Sequence, residues 1–305
     1  MISVNELPTM EFHFFEPPNK ILITESSYKQ FITAELDFNF DFNFCLDAKS
    51  FDILKKLATN RKIRKTDNSI IIESDEGKFK CQIMKKERPE LKLSEVVYEH
   101  TYKDNLLKEA TRFVDSNKAR AVLTGVLLND VGDVFATDTV KLFYFRPKIL
   151  PYTRFWAIPV YFIGLLPQGE ITLKFTDTRV FYEGRYNIYS SVYDGKMPLV
   201  EKISDCFISD HYIAIDKKDE LSWMQADSVE FKITSDKIVL IFDDNEKRFE
   251  VEYDEAMGYE LNKKIGYDHF SQILSTVGDS MFIEFSDRSL RVNKKIIVSY
   301  RQQRV

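Results

Sequence analysis

One pattern decides the fold, and it occurs in KIRKTDNSIIIES (residues 62–74), ITLKFTDTRVFYEG (residues 171–184) and MFIEFSDRSLRVN (residues 281–293). Each stretch sets a Thr-Asp or Ser-Asp pair between runs of β-branched and aromatic residues, which favour strands. Short polar side chains bond the local backbone and tolerate turn geometry, so each pair predicts the turn of a β-hairpin. The turn aspartates are separated by 110 residues both times: Asp67, Asp177 and Asp287. This constant spacing predicts an internal repeat.

A short strand and an apolar-faced helix precede each hairpin, in residues 44–57, 155–166 and 265–277. Strands and helices that recur in this order predict an α+β fold. The repeat also predicts three tandem domains, with boundaries at 1–95, 96–203 and 204–305. No flexible linker separates these domains. We therefore expect them to pack edge to edge, with strands that continue across the joints and protect the sheet edges.

The leading half of each domain is less regular than the hairpin half. In the middle domain, an apolar face at helical spacing predicts a helix: Leu106, Leu107, Ala110, Phe113 and Val114. The first domain has almost no room for a corresponding helix. The third has only a short candidate, near Asp219 to Met224.

Composition narrows the class of protein. No stretch approaches the roughly 20 apolar residues that span a bilayer, and residues 1–10 lack the pattern of a signal peptide. Cys45, Cys81 and Cys206 are odd in number and widely spaced, which is typical of reduced thiols in a cytoplasmic protein. The net charge of −5 means that any DNA-binding surface must concentrate positive charge on one side.

The sequence offers little for catalysis. It contains no phosphate-binding glycine loop, no nucleophile elbow, no C-x-x-C and no H-E-x-x-H. The histidines are scattered singly, which suits neither a zinc site nor a triad: His13, His100, His211 and His269. Asp268, beside His269, is interpreted as a helix cap. We therefore predict no catalytic residue, no metal and no cofactor. The alternative is a metal-dependent nuclease, whose carboxylates are distant in the sequence and converge only in the folded chain.

Residues 112–142, RFVDSNKARAVLTGVLLNDVGDVFATDTVKL, resemble the middle domain of bacterial replicative sliding clamps, the beta subunits of DNA polymerase III. That domain combines a helix, a basic residue (here Arg120), an LxG-type strand (Leu123 to Gly125) and an ATD-x-x-[RK]-L turn (Ala136 to Leu142). The segment YDGKMPLVEKI, residues 193–203, is similar to the DGxxPDYxxVxP edge of the family. The resemblance extends over nearly the whole chain.

The family resemblance implies a ring around duplex DNA, built head to tail from two three-domain chains, with sheets outside and helices inside. A clamp tethers polymerases and repair factors through short linear peptides, and a separate loader ATPase opens it. This sequence departs from the family in its missing or shortened leading helices, in Leu199-Val200-Glu201, and in its C-terminus, Arg301 to Val305. These departures indicate a divergent clamp of the kind that a phage or mobile element encodes.

A clamp holds DNA through phosphate-directed Lys and Arg side chains, without reading bases. Residues 47–65 carry seven basic residues against two acidic ones, and residues 103–120 carry five against three. Both stretches coincide with helices that the family turns inward; the alternative is an ordinary solvated helix face. The expected DNA-binding residues are Lys49, Lys55, Lys56, Arg61, Lys62, Arg64, Lys103, Lys108, Arg112 and Lys118.

The family also binds partner peptides in an apolar cleft between its second and third domains. By resemblance, the cleft here consists of Arg120, Leu123, Thr137, Leu142, Pro198, Ile203 and Ile297, with Ser299 and Tyr300 at its edge. Such a groove takes one or two apolar anchors of a peptide. The competing interpretation is that the aliphatic members are ordinary core residues.

The leading hypothesis is therefore a homodimeric, cytoplasmic sliding clamp that binds double-stranded DNA, a polymerase and a loader, and no membrane. The alternative is a clamp-like interaction protein that binds replication partners without encircling DNA. The reduced first and third domains motivate this second hypothesis.

Overall fold

The computed structural model describes most of the chain. The described residues are 10–15, 20–25, 30–35, 42–57, 62–74, 77–90, 94–147, 150–184, 186–196, 203, 207–209, 211–216, 221, 223–244, 247–255 and 257–300. No helix in these ranges is long and apolar enough to cross a membrane.

Strands dominate the described residues. In chain order they are β1 (Met10–Phe15), β2 (Lys20–Glu25), β3 (Gln30–Glu35), β4 (Phe44–Asp47), β5 (Lys62–Lys65), β6 (Ser69–Ser74), β7 (Gly77–Gln82), β8 (Tyr98–Lys103), β9 (Gly125–Asn129), β10 (Val134–Thr137), β11 (Lys141–Phe145), β12 (Phe155–Pro159), β13 (Glu170–Phe175), β14 (Arg179–Tyr182), β15 (Asn187–Ser191), β16 (His211–Asp216), β17 (Ser228–Ile233), β18 (Ile238–Asp244), β19 (Lys247–Tyr253), β20 (Leu261–Gly266), β21 (Ser280–Phe285), β22 (Ser289–Val292) and β23 (Ile296–Ser299). The α-helices are α1 (Ala48–Leu57), α2 (Asp104–Ala110), α3 (Val160–Leu165) and α4 (Tyr267–Thr276). Short 3₁₀ turns occupy Thr111–Phe113 and Lys118–Thr124.

The strands form antiparallel sheets whose order repeats along the chain. One sheet runs β4-β1-β2-β3-β15-β14-β13-β8, and a second runs β12-β9-β10-β11-β23-β22-β21-β16. A third runs β19-β18-β17-β20, and a fourth is β5-β6-β7. The predicted α+β class and the predicted repeat are both confirmed.

The repeating unit is a three-stranded meander completed by one strand from elsewhere in the chain. The meander β9-β10-β11 is completed by β12, and β13-β14-β15 is completed by β8. The same exchange recurs further on, where β20 completes β17-β18-β19 and β16 completes β21-β22-β23. Near the N-terminus β4 completes β1-β2-β3, while β5-β6-β7 has no fourth strand among the described residues.

Two joints continue a sheet from one meander into another. Strand β3 pairs antiparallel with β15, and β11 pairs antiparallel with β23. At the second joint Leu142 lies opposite Ile297. The prediction that strands continue across the joints is therefore confirmed.

The three predicted hairpin turns share one backbone hydrogen bond, in which the N–H of Thr66, Thr176 or Ser286 donates to the carbonyl three residues later, at 2.7, 2.9 and 2.9 Å, while their hydroxyl bonds differ. The hydroxyls of Thr66 and Ser286 donate to the carbonyl oxygens three residues later, at 3.0 Å and 2.8 Å. Thr176 instead accepts from the backbone N–H of Arg179 at 3.0 Å. The hydroxyl residue before each aspartate thus closes the turn, which explains why the Thr/Ser-Asp pair recurs.

Each helix covers one face of a sheet. On α1, Phe51 stacks on Phe12 at 4.0 Å between ring centroids. On α4, Phe270 packs edge-on against Phe231 and Phe242 of the third sheet. The predicted apolar face near residue 110 is buried at Leu107, Ala110 and Phe113, but this segment is a short helix followed by 3₁₀ turns. Half of the helix candidate near Asp219 to Met224 lies outside the described residues.

The chain divides into two compact units. The first comprises residues 1–104 and 161–192, and the second comprises residues 105–160 and 193–305. Because β8 and β12 each complete a meander from the other half of residues 96–203, that stretch contributes to both units. The three-domain boundaries describe the sequence repeat and stay a prediction.

Candidate functional site

The second unit contains an apolar cluster where the cleft was predicted. Its buried members are Val122, Leu127, Phe135, Leu142, Tyr144, Ala157 and Ile297. Three half-buried rings lie against it: Phe155, Tyr193 and Phe207. Leu142 and Ile297 are 3% and 4% exposed, so both side chains are buried within this cluster. Any groove at this place must therefore be bounded by the three rings, with the aliphatic residues beneath them.

Residues 193–196 lie directly on this cluster. The backbone N–H of Tyr193 donates to the carbonyl of Ala157 at 2.9 Å. Gly195 has φ +150°, and a Cβ there would overlap Cγ2 of Val122. Glycine is needed at this position because both the backbone conformation and the close approach exclude a side chain.

The predicted polar members lie on the neighbouring turn. Arg120 forms an ion pair with Asp115 at 2.6 Å, and its Nη1 donates to the Thr139 hydroxyl at 3.5 Å. Thr137 is buried, and its hydroxyl donates to the carbonyl of Lys141 at 2.7 Å. Leu123 is buried in the 3₁₀ segment next to Val122. The structure thus brings Arg120, Thr137 and Leu142 of the prediction to one hairpin.

Ser299 and Tyr300, among the remaining predicted members, lie apart from this group. Ile203 is 51% exposed, and Pro198 lies outside the described residues. Ser299 and Tyr300 line a different cavity, of about 380 Å³, together with Val140 and residues 266–269.

Lys141 ties this hairpin to α4. It is 7% exposed and pairs with Asp138 at 3.4 Å. Its Nζ also donates to Gln272 and lies 5.8 Å from the ring centroid of Phe113. Burial lowers the pKa of His269, and the Lys141 ammonium lowers it further, so this imidazole beside the cavity is neutral at pH 7. Asp268 makes no cap hydrogen bond, because Gly266 occupies the N-cap position of α4.

The predicted DNA-binding residues are distributed over both units. Lys49 is exposed on α1, Arg64 pairs with Glu73 at 3.3 Å on β5, and Lys103 ends β8 rather than lying on a helix. Lys108 is half-buried on α2. Arg112 is already engaged, because its Nη1 donates to the carbonyl and hydroxyl of Ser275 at 2.5 Å and 3.1 Å. Only the backbone is described for Lys55, Lys56, Lys62 and Lys118, and Arg61 lies outside the described residues.

Several residues of the site were not found in the sequence. Val122 and Phe207 were not singled out, while Lys141 and Tyr193 lay in segments that resemble the family but were not assigned to the cleft. Gly195 lay within the segment YDGKMP, where an Asp-Gly pair signals a tight turn. The sequence could therefore have indicated Gly195, but not its contact with the Cγ2 methyl group of Val122.

The sliding-clamp fold is defined by three features together. Strands are exchanged between meanders, sheets continue across the joints, and a buried hairpin lies at one joint. The structure of DNA polymerase III subunit beta from Pseudomonas aeruginosa is similar to this chain with a TM-score of 0.78 at 14% identity, over 99% of this chain and 94% of that one. The Helicobacter pylori beta clamp bound to a DNA ligase peptide gives a TM-score of 0.80 at 13% identity, over 98% and 92%. The beta subunit from Borrelia burgdorferi gives 0.78 at 14% identity, over 97% and 91%.

No protein-family model matches the sequence, and a search of curated proteins gives no match either. At these identities the likeness to the beta clamps establishes the fold alone. The predicted resemblance is confirmed at that level.

Proposed function

We propose that this chain is a DNA sliding clamp, a non-catalytic processivity factor of a cytoplasmic replication machinery, encoded by a bacterium or its phage. It closes as a homodimer around duplex DNA and tethers a polymerase and a loader through short peptides. The observation that carries this proposal is the clamp fold over nearly the whole chain, with TM-scores of 0.78 to 0.80.

The strand order supports self-association. The meanders alternate along the chain between two series. In the first series, the meanders begin at β1, β9 and β17 and end at β3, β11 and β19. In the second series, they begin at β5, β13 and β21 and end at β7, β15 and β23. The two joints each pair one strand from each series, β3 with β15 and β11 with β23. This leaves β7 and β19, which are both edge strands. A head-to-tail dimer pairs β7 of one protomer with β19 of the next and repeats the joint.

The two edges are chemically complementary. On one face, β7 exposes Lys78 and Lys80, while β19 exposes Glu250 and Glu252 next to Arg248, which pairs with Glu250 at 3.0 Å. On the opposite face, each strand carries a partly exposed ring, Phe79 at 36% and Phe249 at 45%. An antiparallel pairing sets the opposite charges side by side and buries the two rings against each other.

Positive charge on α1 supports a DNA-facing role for the first unit. Lys49 is exposed there, and the helix also carries Lys55 and Lys56. Contacts of this kind are directed to phosphates and do not depend on DNA sequence. Arg112 is a weaker candidate, because its guanidinium already binds Ser275.

The rings around the apolar cluster support a peptide site. Phe155, Tyr193 and Phe207 are half-buried beside Leu142 and Ile297, which gives an apolar anchor a surface to bind. The Helicobacter pylori clamp binds a DNA ligase peptide. We infer that short linear peptides of replication proteins occupy the surface between these rings.

Topological retention tests the proposal directly. A loaded clamp is expected to stay on nicked circular DNA through gel filtration and to be lost when the circle is cut. Native mass spectrometry is expected to show a dimer. A monomer that binds circular and linear DNA equally would refute encirclement.

The reduced leading halves of the first and third predicted domains favour a second candidate, a clamp-like protein that binds replication partners without encircling DNA. For this candidate, peptide binding is expected without any difference between circular and linear DNA.

A further inference from the structure

A buried polar cluster lies in the first unit and contains none of the residues assigned above. Glu11 and His13 lie two residues apart on β1, so their side chains share one face of the sheet. Cys45 lies on the neighbouring strand β4, directly opposite His13. The intervening rings of Phe12 and Phe14 point to the other face, where they stack on Phe51 and Phe44.

All three side chains are almost fully buried. Glu11, His13 and Cys45 are each 2% exposed. Burying a carboxylate, an imidazole and a thiol together is costly unless each has a partner. The sheet faces of this fold are otherwise apolar, so a buried cluster of three polar side chains indicates a function.

The spacing of the polar atoms matches a tetrahedral metal site. His13 Nε2 lies 3.2 Å from Glu11 Oε2 and 3.8 Å from Cys45 Sγ, and all three atoms lie within 4.8 Å of one another. Ligands of a tetrahedral zinc ion are separated by about 3.3 Å for nitrogen and oxygen and about 3.6 Å for nitrogen and sulfur, given the usual bond lengths. Both distances from His13 Nε2 fall within a few tenths of an ångström of these values, and the ligand atoms of Glu11 and Cys45 lie within 4.8 Å of each other.

We propose that Glu11, His13 and Cys45 form a binding site for a zinc-type divalent cation, with thiolate, imidazole and carboxylate ligands. Sulfur and imidazole donors select such ions over Mg²⁺ and Ca²⁺, which take oxygen ligands. On binding, the cation replaces the thiol proton, which leaves to solvent. Carboxylate and thiolate together balance the charge of the cation.

The surroundings of the cluster fit this assignment. Lys86 donates to Glu11 Oε1, which leaves Oε2 facing His13 and the metal position. Lys86 therefore orients the carboxylate, as partners of metal ligands commonly do. His13 and Cys45 also line a cavity of about 690 Å³, together with Lys86 and Arg88. The cavity gives the cation a way in and leaves a fourth position for water, while the two positive side chains reduce affinity for the cation.

No sequence motif marks this site, because His13 and Cys45 are 32 residues apart. Strand pairing alone brings them together.

The test uses the full-length protein with Zn²⁺ and Co²⁺ as probes. Equilibrium dialysis is expected to give one Zn²⁺ per chain, and Co²⁺ is expected to give a thiolate charge-transfer band and tetrahedral d–d bands. Cys45→Ser removes the band and lowers affinity by at least about 10–100-fold, the loss that even outer partners of ligands cause. Cys81→Ser is the matched control, because Cys81 is also buried in the first unit but belongs to no such cluster among the described residues.

Glu11→Gln keeps the size of the side chain and removes the carboxylate, so it provides a second reading if Cys45→Ser fails to fold. It is expected to weaken Zn²⁺ binding while the thiolate–Co²⁺ band stays. The proposal is overturned if the wild-type protein binds no stoichiometric cation. It is also overturned if Cys45→Ser, or Glu11→Gln in its place, binds Zn²⁺ as tightly as wild type.

Discussion

Reversing the charges on the two edge strands β7 and β19 tests the proposed dimer. Lys78→Glu with Lys80→Glu makes the exposed face of β7 acidic, and Glu250→Lys with Glu252→Lys makes that of β19 basic. Either pair of changes is expected to weaken the dimer, because both opposite-charge contacts across the proposed joint become repulsive. Combining all four changes restores opposite charges and is expected to restore the dimer.

The magnitude follows from the exposure and present partners of these side chains. Lys78 already pairs with Glu73 at 3.2 Å, and Glu252 pairs with Lys237 at 2.6 Å. Exposed pairs contribute about 0.2–1 kcal/mol, and these competing partners place each contact near 0.5 kcal/mol. Reversing one contact removes about 0.5 kcal/mol of attraction and adds a repulsion of about the same size. Two reversed contacts therefore cost about 2 kcal/mol for each joint, and about 4 kcal/mol for a ring with two joints. This corresponds to roughly a 1000-fold increase in the dimer Kd.

Sedimentation velocity over a concentration series measures this Kd, at low and high salt. Screening reduces the difference between variants as salt rises. Lys294→Glu with Lys295→Glu is the control, because it makes the same charge change in the turn between β22 and β23. Pairing of β7 with β19 is refuted if the variant with only one strand reversed dimerises like wild type. It is also refuted if the variant with both strands reversed dimerises as weakly as the variants with one strand reversed.

Three further outcomes are expected. Lys49→Glu reduces the slope of log K against log salt for DNA binding by about 0.9, because one phosphate is no longer neutralised, while Lys294→Glu leaves it unchanged; equal slopes in a salt titration would remove α1 from the DNA surface. Gly195→Ala destabilises by about 1–3 kcal/mol in urea unfolding because its methyl group meets Val122, whereas Gly164→Ala, where a Cβ meets nothing within 4 Å, is neutral or stabilising. Leu142→Ala costs about 2–5 kcal/mol in the same assay; a decrease in stability below about 1 kcal/mol would show that Leu142 is a pocket residue and not core.

The sequence was informative where the chain makes local contacts. The Thr/Ser-Asp turns were readable because the hydroxyl of each turn bonds a backbone atom three residues away. The apolar face at Leu107, Ala110 and Phe113 was readable for the same reason, although the extent of the helix was not. The basic residues and the cleft were assigned by resemblance, and the structure shows only part of each set together.

The exchange of strands between meanders could not be read from the sequence. The meander that β8 or β12 completes depends on which sheet edge each strand reaches, and neither strand sequence specifies that edge. The same applies to Gly195 and Val122, and to Lys141 and Gln272, whose contacts arise only when separate elements pack.

By itself, the sequence determined the repeat, the hairpins and the α+β class, because these depend on periodicity and on turns that close within a few residues. The tertiary structure alone decided which strands complete which sheet, which edges stay open and which polar residues meet. Cys45 shows the difference plainly. In the sequence it is an isolated thiol, and in the fold the pairing of β4 with β1 sets it beside a buried histidine and a buried glutamate.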